Sequence, residues 1–253
     1  MKKSNKFETA QDLFKKGHEL CDNGNYSEGI DKFMEVLKII TECFEAYMSI
    51  GNAFQEMGNC EEAIVYFNKA LETNPSETNA SDVYYNMGNA YSILSQSQKA
   101  IKCYDKSIEI NPLNNHAYFN KGNEFCILNR IDEAIEMYDK SIQLDPNQEK
   151  PYFEKALVLT DLFKYKEANE CYDMVIRYNP KNAEAYYNKG NCLYYLGKRT
   201  EALDCFEQAI LLNPQDPDFY YNMGVVLTKM GKLNEAQNCF KSYRNLLYPK
   251  GLY

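Results

Sequence analysis

Apolar residues recur along this chain at the three- and four-residue spacing of amphipathic helices, and the helical stretches come in pairs separated by short polar turns. One pair is predicted from about Phe44 to Met57 and from about Cys60 to Thr73. Gly58 and Asn59 turn the chain between them, and Pro75 follows the second helix. The same pair returns along the whole sequence. With Gly190 as a marker, equivalent residues stand at Gly17, Gly51, Gly88, Gly122, Ala156 and Gly224, each 34 residues from the next except for a step of 37 between Gly51 and Gly88. A fixed period in this range is the mark of stacked supersecondary units. The pattern therefore predicts an all-α protein of seven antiparallel helix hairpins.

The marker glycine needs a cause, because glycine inside a helix costs about 1 kcal/mol relative to alanine. Twelve residues on stands a second small residue, Gly29 in the first copy and Ala63, Ala100, Ala134, Ala168, Ala202 or Ala236 in the others. Two small residues facing each other across a hairpin are expected to let its helices approach closely. A third, Ala70, Ser107, Ser141 or Ala209, is placed on the second helix to receive the next hairpin. Large apolar side chains surround them: Tyr47, Tyr84, Tyr118, Tyr152, Tyr186 and Tyr220 four before the marker, and Phe33, Phe67, Tyr104, Tyr138, Tyr172, Phe206 and Phe240 sixteen after it. These make up the predicted core.

The small, small and Pro positions, for example Gly122, Ala134 and Pro146, resemble those of tetratricopeptide repeats, with Tyr where that family often has Trp. The resemblance places repeats near 10–43, 44–77, 81–114, 115–148, 149–182, 183–216 and 217–249, in a single domain 10–249 flanked by tails at 1–9 and 250–253. It implies an α-solenoid, a right-handed superhelix whose first helices line a concave groove and whose second helices form the convex back. In that family the groove usually holds a peptide segment of another protein. Three departures add detail. The first copy has Gly29 for the usual Ala and Thr41 where Pro is expected, and reads as a capping unit. The extra residues of the longer step fall in Pro75 to Ser81, a polar stretch predicted to be a surface loop. In the last copy Tyr243 replaces the receiving small residue and is expected to block an eighth hairpin. Tyr243, Leu247 and Leu252 then leave an apolar end, to be covered by the tail or used for a homodimer.

Composition narrows the function. The net charge of −8 argues against nucleic acid, whose affinity comes largely from Lys and Arg releasing counterions. No run approaches the roughly 18 apolar residues of a membrane span. Met1 to Lys6 is basic but Phe7 to Lys16 is polar and amphipathic, so no secretory signal is read and a cytoplasmic location is expected. The nine cysteines form no metal-ligand pair, and Cys103, Cys171, Cys205 and Cys239 share one position of the repeat, as small packing residues would. The two histidines, His18 and His116, belong to distant copies, and no phosphate loop or nucleophile motif is present. The chain is therefore read as no enzyme, with no cofactor and no metal.

First-helix residues outside the core recur as asparagine: Asn86, Asn120, Asn188 and Asn222 two before the marker, and Asn52, Asn89, Asn123 and Asn191 one after it. Asparagine carries two donors and an acceptor, so this ladder, with Lys150, is the candidate peptide-binding groove, suited to gripping the backbone of an extended segment. Asn at both places is also common in the resembled family, so ligand-facing and purely habitual roles are both open. Beside the ladder run Phe14, Tyr85, Phe119, Phe153, Tyr187 and Tyr221, read first as packing between repeats. Asp22, Glu45, Glu56, Asp82, Asp161, Glu184 and Asp218, against Lys15, Lys150 and Lys229, favour a neutral or basic ligand if they face one, and simple solvation of these carboxylates is equally open. Some members of the resembled family clamp the acidic tails of chaperones with Lys, Asn, Asn, Lys and Arg. Asn89, Asn120 and Lys150 fit that set, but Tyr85 and Glu154 stand where cations should be, and Glu154 would repel a carboxylate. The function read from the sequence is a protein-interaction module acting as an adaptor or scaffold. The alternative is a structural subunit held through its convex face and ends.

Overall fold

In the computed structural model, which describes residues 2–248, every helix pair turns through one residue with positive φ. Gly24, Gly58, Gly197 and Gly231 do so at 78–80°, and Ser95, Asn129 and Phe163 at 57–59°. Each turn closes in the same way, with the next N–H reaching back to a carbonyl at the end of the first helix: Asn59 to Phe54 at 2.8 Å, Lys164 to Leu159 at 2.9 Å, Lys232 to Leu227 at 3.0 Å. This is the left-handed helix ending in which glycine carries no Cβ penalty. Phe163 is therefore strained, because a bulky L-residue in the left-handed region costs about 1–2 kcal/mol. Its ring is 76% exposed and packing returns little of that cost. Phe163→Gly is expected to raise stability by about 1 kcal/mol in chemical denaturation. An unchanged midpoint would show that the turn is not strained.

Two compact units divide the chain, one reaching to Leu144 and the other starting at Asp145. The first holds α1 (Lys2–Asp22), α2 (Tyr26–Ile39), α3 (Phe44–Glu56), α4 (Cys60–Glu72), α5 (Glu77–Ile93), α6 (Ser97–Ile110), α7 (Asn115–Ile127) and α8 (Ile131–Leu144). The second holds α9 (Glu149–Asp161), α10 (Tyr165–Tyr178), α11 (Ala183–Tyr195), α12 (Arg199–Leu212), α13 (Pro217–Lys229) and α14 (Leu233–Leu247). The described residues contain no strand. Odd and even helices pair as seven antiparallel hairpins, and within each unit an even helix packs on the odd helix that follows it. Odd helices also touch one another, α1 with α3, α3 with α5, α5 with α7, and α11 with α13, so they share one face. Asn114 and Asn182 cap two of them, their side-chain oxygens accepting from the N–H of Ala117 at 3.2 Å and of Ala185 at 2.9 Å.

The core follows the repeat, with one change in what the glycine is for. A Cβ on Gly51 would come within 2.5 Å of Phe67, on Gly190 within 2.8 Å of Phe206, and on Gly224 within 2.8 Å of Phe240. The marker thus makes room chiefly for the aromatic ring sixteen residues on, more than for the small residue at twelve. The close approach of two small residues is seen in the first hairpin, where a Cβ on Gly29 would stand 3.0 Å from the Gly17 carbonyl. Phe33, Phe67, Tyr104, Tyr138, Tyr172 and Phe206 are completely or almost completely buried. The tyrosines four before the marker are only half-buried. Two of them staple the linker that precedes their hairpin, Tyr47 donating to the Thr41 carbonyl at 3.1 Å and Tyr220 to that of Pro214 at 3.3 Å.

At the margins of the repeats, α1 begins at Lys2 and so runs through residues 2–9, and one expectation is corrected. The polar stretch 75–81 is mostly not a loop: α5 starts at Glu77 and is 17 residues long, with the Ser76 hydroxyl accepting from the Asn79 N–H at its start. Ser81 is fully buried, and its hydroxyl donates to the Ser107 carbonyl at 3.0 Å. Satisfying that hydroxyl inside the hairpin is what lets a polar residue belong to the helix. At the other end, Tyr243 packs on Tyr221 with ring centres 5.2 Å apart, and Leu247 is 42% exposed. Pro249 to Tyr253, including the Leu252 invoked for an apolar end, lie outside the described residues.

Candidate functional site

The asparagine ladder is bonded to itself. In the first unit the Asn86 amide donates to the Asn52 Oδ1 at 3.0 Å, and the Asn120 amide donates to the Asn89 Oδ1 at 2.8 Å and to the Tyr85 hydroxyl at 3.3 Å. In the second, the Asn222 amide donates to the Asn191 Oδ1 at 2.9 Å and to the Tyr187 hydroxyl at 2.8 Å. The row two before the marker thus reaches back to the row one after the marker in the preceding hairpin. Ring hydroxyls of the core join the same network, Tyr104 donating to Asn89 at 2.9 Å and Tyr138 to Asn123 at 2.8 Å. With both amide protons engaged, Asn120 and Asn222 offer a ligand only their side-chain acceptors.

Asn188 differs. The preceding hairpin has Leu157 where an acceptor asparagine would stand, and among the described residues no hydrogen bond engages the Asn188 side chain, which is half-buried on α11. Glu154 holds the same row position on α9. Burial, and then repulsion from Glu184, push its carboxyl above the usual carboxylate range. No cation pairs with Glu154 or Glu184 among the described residues. Burial also raises the Tyr187 phenol, and the nearby Asp218 and Asp216 carboxylates raise it further. Lys150 is exposed at the start of α9 and forms no ion pair among the described residues. The structure thus places Asn52, Asn86, Asn89, Asn120 and Asn123 on the odd helices of the first unit, and Lys150, Asn188, Asn191 and Asn222 on those of the second.

The aromatic row beside the ladder belongs to packing. Each ring meets the core aromatic of its own hairpin: Phe14 and Phe33 at 5.5 Å, Tyr85 and Tyr104 at 6.2 Å, Phe119 and Tyr138 at 5.9 Å, Phe153 and Tyr172 at 6.1 Å, Tyr187 and Phe206 at 6.0 Å, Tyr221 and Phe240 at 5.9 Å. Cys60, Cys103, Cys192 and Cys205 are buried in the packing. Burial pushes the Cys103 and Cys205 thiols up to about 11, which leaves little reactive thiolate at neutral pH. Among the described residues no group of three or more His, Cys, Asp or Glu could hold a metal ion, and no helix is long and apolar enough to cross a membrane.

Comparison with known proteins agrees with this architecture. A model described as Tetratricopeptide repeat matches residues 44–77, 81–114, 116–148 and 183–216, and two further models of that description match 205–238 and 153–194. No curated protein matches the sequence. Among solved structures, the chain is similar to a tetratricopeptide repeat protein from Parabacteroides merdae, 17% identical with a TM-score of 0.65, over 96% of this chain and 95% of that one. It is also similar to pilF of Pseudomonas aeruginosa, 19% identical with a TM-score of 0.70, over 85% and 96%. YrrB, described as a TPR protein with an unusual peptide-binding site, is 23% identical with a TM-score of 0.60, over 72% and 92%. At these identities the likeness bears on the fold, an all-α solenoid. Tetratricopeptide repeat proteins are protein-interaction modules of a generally non-catalytic kind. With its repeats matched over more than half its length, the chain belongs to the tetratricopeptide repeat family.

Proposed function

We propose that this chain binds an extended, neutral or basic segment of another protein on its odd-helix face, and serves as an adaptor or scaffold without chemistry of its own. The observation that carries this reading is in the second unit. There Asn188 keeps both donors and its acceptor unengaged, on a surface whose carboxylates Glu154 and Glu184 have no cationic partner. An extended backbone satisfies the asparagine, and a Lys or Arg side chain relieves the two carboxylates. Within each unit the ladder asparagines hold successive hairpins in register, and in the second unit they add acceptors along its odd-helix face. YrrB has a peptide-binding site on the same kind of scaffold, which supports a peptide as the ligand.

The test is fluorescence anisotropy of the full chain with three short extended peptides, one lysine-bearing, one neutral and one glutamate-bearing. The first two are expected to bind, and the lysine peptide to weaken about tenfold in Asn188→Ala and in Glu154→Lys, the scale of losing one good polar contact. Preference for the glutamate peptide would overturn the reading. Binding of the lysine peptide is also expected to weaken on acidification, starting above the ordinary carboxylate range, because Glu154 takes up its proton early and loses the charge that attracts lysine.

A further inference from the structure

Beyond the odd-helix face, we propose a second docking surface on the second unit. It is the edge where α9 turns into α10 and α11 into α12, and it takes an acidic, proline-containing extended segment. Phe163, Tyr165 and Tyr195 form one aromatic group there. Tyr165 and Tyr195 stack with ring centres 4.6 Å apart and 9° between planes, and Phe163 meets Tyr165 edge-on at 6.1 Å. The stack is open to solvent, Phe163 being 76% and Tyr195 63% exposed. No other hairpin carries an aromatic at the Phe163 position, where glycine, serine or asparagine stands. At the Tyr195 position the others carry Asp22, Glu56, Ile93, Ile127, Asp161 and Lys229.

Phe163 is also held at φ 59°, in the left-handed region, so the exposed ring is kept against a backbone cost that a glycine would remove. Strain of this kind collects at sites that hold ligands. Charge identifies the occupant. Lys164, Lys166, Lys198 and Arg199 stand here against Asp161, Glu167 and Glu201, in a chain of net −8. Among the described residues only Lys198 is paired, with Glu201 at 3.3 Å, so Lys164, Lys166 and Arg199 outnumber the unpaired Asp161 and Glu167 and leave a small positive excess for carboxylates of a partner. Proline is the matching anchor, because its ring lies flat on a tyrosine face and an extended proline segment loses little entropy on docking.

The experiment uses the full chain and a labelled short peptide of alternating aspartate and proline. Comparison peptides carry lysine for aspartate or alanine for proline. The Asp-Pro peptide is expected to bind, and to weaken about tenfold or more in Tyr195→Ala and in Phe163→Gly, as loss of an aromatic anchor does. The Phe163→Gly chain should remain at least as stable as the native one, so that lost binding is not lost folding. Asn188→Ala should leave this binding unchanged, which separates it from the odd-helix face. The proposal is overturned by absence of binding, by equal affinity in both aromatic variants, or by equal affinity for the lysine or the alanine peptide.

Discussion

Replacing Phe67 by alanine is expected to lower stability by about 4 kcal/mol, within the range for emptying a buried phenylalanine site. The ring is completely buried among Ala63, Ala70, Val83 and Met87. It lies so close over Gly51 that a single methyl group there would come within 2.5 Å of it. Val83 and Met87 belong to α5 of the next hairpin, so the cavity weakens both the hairpin and its stack. In an array stabilised by neighbour contacts, both terms are lost together. Chemical denaturation is the measurement. A loss below about 1 kcal/mol would mean that the ring is not the centre of the hairpin.

Glu124→Val is expected to act in the opposite direction, stabilising the chain by about 2 kcal/mol. Glu124 is 1% exposed on α7. Its Oε1 accepts a short hydrogen bond from the Ser92 hydroxyl, while among the described residues no hydrogen-bond partner reaches its Oε2. A carboxylate buried with one oxygen unpaired pays a desolvation cost that its single neutral partner does not offset. The other hairpins carry Ala53, Ala90, Val158, Cys192 and Val226 at this position, apart from Glu19 in the first, so a valine fits the packing found elsewhere in the chain. A variant less stable than the native chain in thermal denaturation would show that Glu124 is better satisfied than its contacts indicate.

The hairpins were legible because a strict period repeats the same packing problem seven times: Gly51, Ala63 and Phe67 in one copy identify Gly190, Ala202 and Phe206 in another. The Pro75 to Ser81 segment was not. Its composition signals a loop, but Ser76 caps a helix that starts at Glu77, and the buried Ser81 hydroxyl is satisfied by the Ser107 carbonyl. For the ladder, the residue types were visible but the pairing was not, since it depends on how far one hairpin is displaced against the next. The gap in the ladder did leave a sequence signal, Leu157 in a column otherwise mostly asparagine. Phe163 left the same kind of signal, the one aromatic in its column, and Glu124 a weaker one, shared only with Glu19 in a column otherwise of small or apolar residues.

The most direct measurement is a titration of the full chain with a lysine-bearing extended peptide, followed through the side-chain amide NMR signals of its asparagines. Binding on the odd-helix face of the second unit predicts a saturable shift of Asn188. The amide signals of Asn120 and Asn222, whose protons are held in the ladder, should move little. Saturable binding with Asn188 unmoved would contradict it.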